Sequence, residues 1–234
     1  MHYIYLCLWL ILIGQNKTLA QEKIQAQAKV PTTIWLFDGA VYELYGLSWM
    51  QPDDIKASST LVSNSNRYQV QHLVDEKRTT TWVEGVQGNG IGEKIKATFS
   101  GLPPSVLTFV PGYWKSEATW YQNNRVAKLR VTLLGTEDGA PQVLYDFEVT
   151  FPKGKDGKVS PAVYSIELGG RFLNNMDIDL FNAIEIEILE VDAKGAKYED
   201  TCISEIAFLQ SKDEVLKTMS IEAYNKMTSE TKND

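Results

Sequence analysis

The sequence predicts an all-β fold, an antiparallel sandwich or jelly roll, on three observations. Beyond residue 90, apolar and polar residues alternate with period two in successive stretches, the mark of half-buried strands. Turn material rich in Gly, Pro and Asp separates those stretches. Helical periodicity is confined to one short segment, residues 212 to 224, with Val215, Leu216, Met219 and Ala223 on one side. Many short strands with polar turns and little helix describe sandwiches and jelly rolls.

Taken in order, residues 1–20 stand apart from the fold. Ile4 to Gly14 is an apolar run of secretory length, too short to span a bilayer comfortably, and Thr18-Leu19-Ala20 offers a small-residue cleavage site before Gln21. The competing reading is an uncleaved anchor, because His2 is the only potential cation ahead of the run. Cys7 lies inside the run, which argues against a lipid-modified cysteine. No other stretch approaches the length of a membrane span. The chain is therefore expected to be exported, to periplasm, cell surface or medium, with no span left after cleavage. Residues 21–33 read as a polar lead-in ending near Pro31, and residues 34–45 as two short strands around the Asp38-Gly39 turn. Trp35, Tyr42, Tyr45 and Trp49 read as core-covering aromatics, with an exposed platform as the alternative. The expected division is a signal peptide (1–20), a hairpin-like N-terminal extension (21–52), the β-sandwich (53–210) and a C-terminal helical tail (211–234).

Within the sandwich, Ile95, Ala97 and Phe99 alternate with Lys94, Lys96 and Thr98. Leu129, Val131 and Leu133 alternate with Lys128, Arg130 and Thr132, and Tyr145, Phe147, Val149 and Phe151 with Asp146, Glu148 and Thr150. Tyr164, Ile166 and Leu168 follow the same rule, as do Ile184, Ile186 and Ile188 around Glu185 and Glu187. Turns fall at residues 101–104, 135–141 and 152–161.

Composition narrows the function classes. A net charge of −7 and a pI near 5.0 make a nucleic-acid backbone a poor partner. Cleavage after residue 20 removes Cys7 and leaves Cys202 without a disulfide partner; its apolar neighbours mark it as a buried thiol. His72 is then the sole histidine, which rules out a histidine-assisted nucleophile and a multi-histidine zinc site.

The densest set of unusual spacings lies in residues 57–93, where Asp75 precedes Thr80 by five residues and Trp82 by seven, ahead of a Gly-rich loop at 84–93. Two readings stand side by side. A carboxylate, a hydroxyl and carbonyls gathered by a tight loop suit a hard cation such as calcium. Alternatively an Asx-type turn caps a strand and Trp82 is core. The Gly-rich loop lacks the Lys-Ser/Thr of a phosphate cradle and precedes a strand.

The order of ASST at 57–60, YQVQHLVDEKRTTTW at 68–82, the Gly-rich loop, and DTCISEIAF at 200–208 resembles a discoidin-type domain of the galactose-binding-like superfamily. The runs WVEGVQGNGIGE, GYWKSEATWYQNNRVAKL and KYEDTCISEI resemble, more narrowly, the bacterial discoidin-like domain named after the translocation region of NAD-glycohydrolases. The resemblance spans roughly residues 53–210 and implies a galactose-binding-like β-sandwich. It also implies a structural calcium, whose ligands map to Asp75, Thr80 and Glu205, with Glu76 standing where Gly is usual. An acidic Glu205 on an apolar strand needs a partner in any case, either that cation or a nearby Lys or Arg.

The resemblance further implies ligand binding in loops at one end of the sandwich, most often to sugars, for which aromatic faces and bidentate polar groups are the fitting chemistry. Tyr113, Trp114, Lys115, Trp120, Tyr121, Asn124 and Arg125 are the expected residues, with Trp82, Glu84 and Asn89 contributing from the Gly-rich loop. The other reading is that Asn123, Asn124 and Arg125 pin loops to the sheet. The expected function is a non-catalytic module for a glycan or cell-surface polymer, or for a protein partner in surface assembly or translocation. Carboxylate pairs such as Glu84 with Glu93, or Asp177 with Asp179, are read as solvated faces, and glycohydrolase activity belongs to a neighbouring domain in that family.

Overall fold

The computed structural model describes residues 22–25, 47–77, 79–168 and 178–211. The expected signal peptide, the 34–45 hairpin, the 212–224 helix and Asp177 lie outside the described residues.

The strands divide between two sheets. The larger contains β1 (Glu22–Gln25), β3 (Asp54–Ala57), β4 (Trp82–Val83), β5 (Lys94–Thr98), β7 (Asn124–Glu137), β8 (Ala140–Thr150), β10 (Phe181–Asp192) and β11 (Thr201–Ile203). Its main order is β1-β8-β7-β10-β5-β3, with β11 joining the start of β7 to β4. The smaller runs β2 (Leu47–Met50), β12 (Glu205–Ser211), β6 (Val106–Val110), β9 (Tyr164–Glu167). A short helix, α1 (Glu117–Gln122), sits between β6 and β7.

Every stretch of predicted alternation is a strand, and the register shows what it achieves. Ile95, Ile186, Val131 and Phe147 form one row across the larger sheet, all buried. Leu107, Phe109, Tyr164, Ile166, Ile206 and Phe208 meet them from the smaller sheet. Burial of Tyr164 raises its phenol to about 12. One residue over, on the outer face of the larger sheet, the row reads Lys94, Glu187, Arg130, Glu148. Its charges alternate and pair across strands: Lys94 with Glu185 at 2.8 Å, Arg130 with Glu187 at 3.1 Å, Lys128 with Glu148 at 2.7 Å.

β6 and β12 carry no alternation because both of their faces are covered. Val110, Ala207 and Leu209 point away from the main core yet are buried in a second cluster with Trp120 and Val163, against which Trp49, Trp114 and Tyr121 pack. α1 supplies Trp120 to that cluster. Six residues are too few to hold a helix alone. A capping box, in which Ser116 accepts from the Thr119 N–H and Thr119 from the Ser116 N–H, fixes its start, and Trp120 burial fixes the rest.

The start of β7 lies beside the end of β10, the end of β8 and the start of β11. Loops 84–93, 111–123, 151–163 and 193–200 therefore gather at one end of the sandwich.

Candidate functional site

Arg125 organises that end. Its side chain is fully buried, and Nε and Nη2 each lie 3.1 Å from Asp192 Oδ2. Nη1 donates to the carbonyls of Trp120 (2.9 Å) and Asn123 (3.0 Å), and Nη2 to that of Lys194 (3.1 Å). Asp192 accepts in turn from the N–H groups of Val159 (2.8 Å) and Lys194 (3.0 Å). One guanidinium and one carboxylate thus tie three loops to the sheet, with each buried charge matched. Gly112 is required nearby, since a Cβ there would meet Arg125 Cγ and the Trp120 ring at 2.9 Å.

Glu84 does the same for the Gly-rich loop. Its carboxylate accepts from the N–H groups of Val86 (2.9 Å) and Thr201 (3.3 Å). Burial raises its pKa, those two N–H groups oppose the rise, and Asp200 and Glu93 add to it. Gly90 lies over it at φ +69°, where a Cβ would sit 2.5 Å from Glu84 Cγ. Trp82 is also enclosed, donating from Nε1 to Ser59 O at 3.1 Å. Of the residues expected to meet a ligand, Trp82, Glu84, Trp120, Asn124 and Arg125 are buried, so their visible work is to hold loops. Tyr113, Trp114 and Tyr121 are half-buried; Lys115 and Asn89 are exposed. Burial raises the Tyr113 phenol, whose O–H faces Thr79 O at 3.4 Å.

A cleft of about 570 Å³ opens at the loop end, lined by Gly88 and Asn89, by Asn124, and by Ala193, Ala196, Lys197, Tyr198 and Glu199. Only Asn89 and Asn124 were expected there. Asn124 is 2% exposed; its Nδ2 donates to Glu199 O at 2.5 Å, while its Oδ1 is buried without a partner. Tyr198 is 45% exposed, and Lys197 Nζ sits 5.3 Å from its ring centre. The run DAKGAKYED carries a signal for this lining, an aromatic flanked by charges in a Gly-containing turn between strands.

Asp75, Thr80 and Glu205 come together beside the start of β12. Thr80 Oγ1 lies 2.9 Å from Asp75 Oδ1 and 2.6 Å from the Lys77 carbonyl, and Lys77 N–H donates to Asp75 Oδ1 at 3.0 Å. Glu76 adopts φ +58°, the left-handed conformation Gly favours, so the tight turn persists without Gly. Glu205 is 2% exposed with neither carboxylate oxygen hydrogen-bonded. Burial first, and then the Asp75 charge, raises its pKa to about 9, against a weak opposing pull from the Glu76 and Lys77 amides. A carboxylate orphaned in this way fits a cation. Among the described residues no three His, Cys, Asp or Glu side chains form a metal-binding group, so Thr80 and carbonyls such as that of Lys77 would have to complete the shell.

The two facing sheets and the gathered loops define a discoidin-like, galactose-binding-like β-sandwich. The chain belongs to the NAD glycohydrolase translocation F5/8 type C domain family, whose pattern matches residues 47–209. No curated protein sequence matches it. The chain is similar in structure to the tandem CBM32 and M60 catalytic domains of Clostridium perfringens ZmpB, at 9% identity and TM-score 0.54, over 88% of this chain and 19% of that one. It is also similar to a Ruminococcus gnavus GH29 fucosidase in complex with fucose (15% identity, TM-score 0.44, 73% of this chain, 26% of that). A third is the family 32 carbohydrate-binding module of C. perfringens NanJ in complex with galactose (12%, TM-score 0.43, 67% and 93%). The chain spans about a quarter or less of the first two proteins.

Proposed function

We propose that this chain is an exported, non-catalytic binding module that takes a glycan or other surface polymer in the loop-end cleft. The carrying observation is that an exposed ring, Tyr198, and an exposed amide side chain, Asn89, line one cleft. A pyranose offers the same pair of features, an apolar face for stacking and hydroxyl donors at its rim. Glu199 is the one carboxylate lining the cleft among the described residues, whereas most glycoside hydrolases face two across the bond. That supports binding over hydrolysis.

A structural calcium belongs to the same reading, held by Asp75, Thr80 and Glu205. It would supply positive charge to the two Glu205 oxygens and tie the 75–80 turn to β12. A protein partner is the second reading, favoured by exposed apolar side chains: Val62 is 92% exposed, and Val86 and Ile91 are exposed on the Gly-rich loop.

A glycan array, run with calcium and with EDTA, tests the proposal. Specific binding that Tyr198→Ala abolishes is the expected result. A negative array on a folded sample would refute it and leave the protein partner, to be sought by pull-down from the cell envelope.

A further inference from the structure

The cleft has two walls that are distant in sequence, Gly88 with Asn89 on the Gly-rich loop and residues 193–199 ahead of β11. The second wall is firmly seated. Asn124 Nδ2 donates to Glu199 O at 2.5 Å and Asn124 N–H to Asp200 O at 3.1 Å, while the N–H groups of Lys197 and Tyr198 donate to Gln122 O at 2.8 and 2.9 Å. The first wall is held far more sparely. Residues 85–89 are exposed, and Gly88 and Gly90 adopt φ +108° and +69°. Glu84 holds the loop at the Val86 N–H, and the Glu93 N–H closes it at Gly90 O, 3.1 Å away. Between those points, among the described residues, one hydrogen bond reaches residues 87–89: Thr201 Oγ1 donates to Asn89 O at 2.7 Å. Thr201 opens β11 directly after the second wall and is 0% exposed. Its N–H donates to Glu84 Oε1 and its carbonyl accepts from the Glu84 N–H, both at 3.3 Å. The backbone of Thr201 is thus fixed, and its hydroxyl sets one wall against the other.

We infer that Thr201 is the positioning residue of the cleft: its hydroxyl holds Asn89 at a set distance from Tyr198, so that amide and ring are in place before a sugar arrives. This rests on the glycan reading above and names the group that makes that site rigid. A wall fixed in advance loses less free energy to ordering when the ligand binds. The probe is a glycan array titrated with the protein, with the melting temperature followed in parallel. Thr201→Val and Thr201→Ala both lack the hydroxyl. They should lower apparent affinity about fivefold or more for every glycan that the unaltered protein binds, the net worth of one hydrogen bond. Thr201→Ser keeps the hydroxyl and should stay within about twofold. The melting temperature of Thr201→Val should change little, since Asn89 is exposed and water can take up its freed carbonyl. Unchanged affinity in folded Thr201→Val overturns this inference and leaves the glycan reading standing. Thr201→Ser as impaired as Thr201→Val also overturns it, because packing and not the hydroxyl would then decide. Folded, unaltered protein that binds no glycan overturns both.

Discussion

Arg125→Met keeps most of the side-chain volume and removes every donor. The Asp192 carboxylate then stays buried with only the Val159 and Lys194 N–H groups, and the carbonyls of Trp120, Asn123 and Lys194 lose their partner. Both side chains are almost wholly enclosed, at 0% and 3% exposure, so solvent screening does not soften the loss. Breaking one side of a buried pair costs about 3–5 kcal/mol, which is a third or more of the stability of an ordinary domain. Urea unfolding at pH 7 should show the unfolding free energy falling by that amount, read as a lower midpoint at unchanged slope. Adding Asp192→Asn to Arg125→Met removes the stranded charge and should restore about half. Hydrogen exchange should accelerate in residues 151–162 and 193–200, which the pair anchors, and little in β5. A loss below about 1 kcal/mol, or no recovery in the double variant, would refute the claim that this pair organises the loop end.

The remaining predictions concern charge, burial and reactivity. Glu205, with its folded pKa raised to about 9 above an ordinary 4.5, binds more protons folded than unfolded between those values. In EDTA, stability should therefore be fully present below pH 4.5 and fall by up to about 1.4 kcal/mol per pH unit as pH rises towards 9. Calcium should flatten that slope and raise the melting temperature, and Asp75→Ala or Glu205→Gln should abolish the calcium effect; a melting curve indifferent to calcium and EDTA removes the cation from this site. Trp120→Ala should cost about 3–5 kcal/mol because the ring is core, whereas Tyr198→Ala should change stability by less than about 0.5 kcal/mol, both read from thermal melts. Cys202 is fully buried and its thiol pKa is pushed up by burial, then by Asp200 and Glu84, so labelling by a thiol reagent should wait for unfolding; prompt labelling of native protein contradicts that burial.

The sandwich was legible wherever a strand has one wet face. β5, β7, β8 and β10 alternate because one side meets the core and the other carries the paired charges. β6 and β12 hide that signal, since a second apolar cluster covers their outer side. The resemblance brought Asp75, Thr80 and Glu205 to attention, and the fold does place their side chains together. Aromatic residues were harder. Trp82 and Tyr198 both flank loops, yet one is sealed and the other exposed, and residue type does not distinguish them. The cleft escaped notice for a topological reason. Its walls come from residues 88–89, 124 and 193–199, which become neighbours only when the start of β7 lies between the end of β10 and β11.

The alternating row on the larger sheet bears on how the molecule meets its surroundings. Along Lys94, Glu187, Arg130 and Glu148 each positive group has a negative neighbour one strand away, so beyond a Debye length of about 8 Å in physiological salt the broad face carries little field. The broad face of that sheet thus offers a distant charged molecule little to steer by, and whatever binds it must do so by contact.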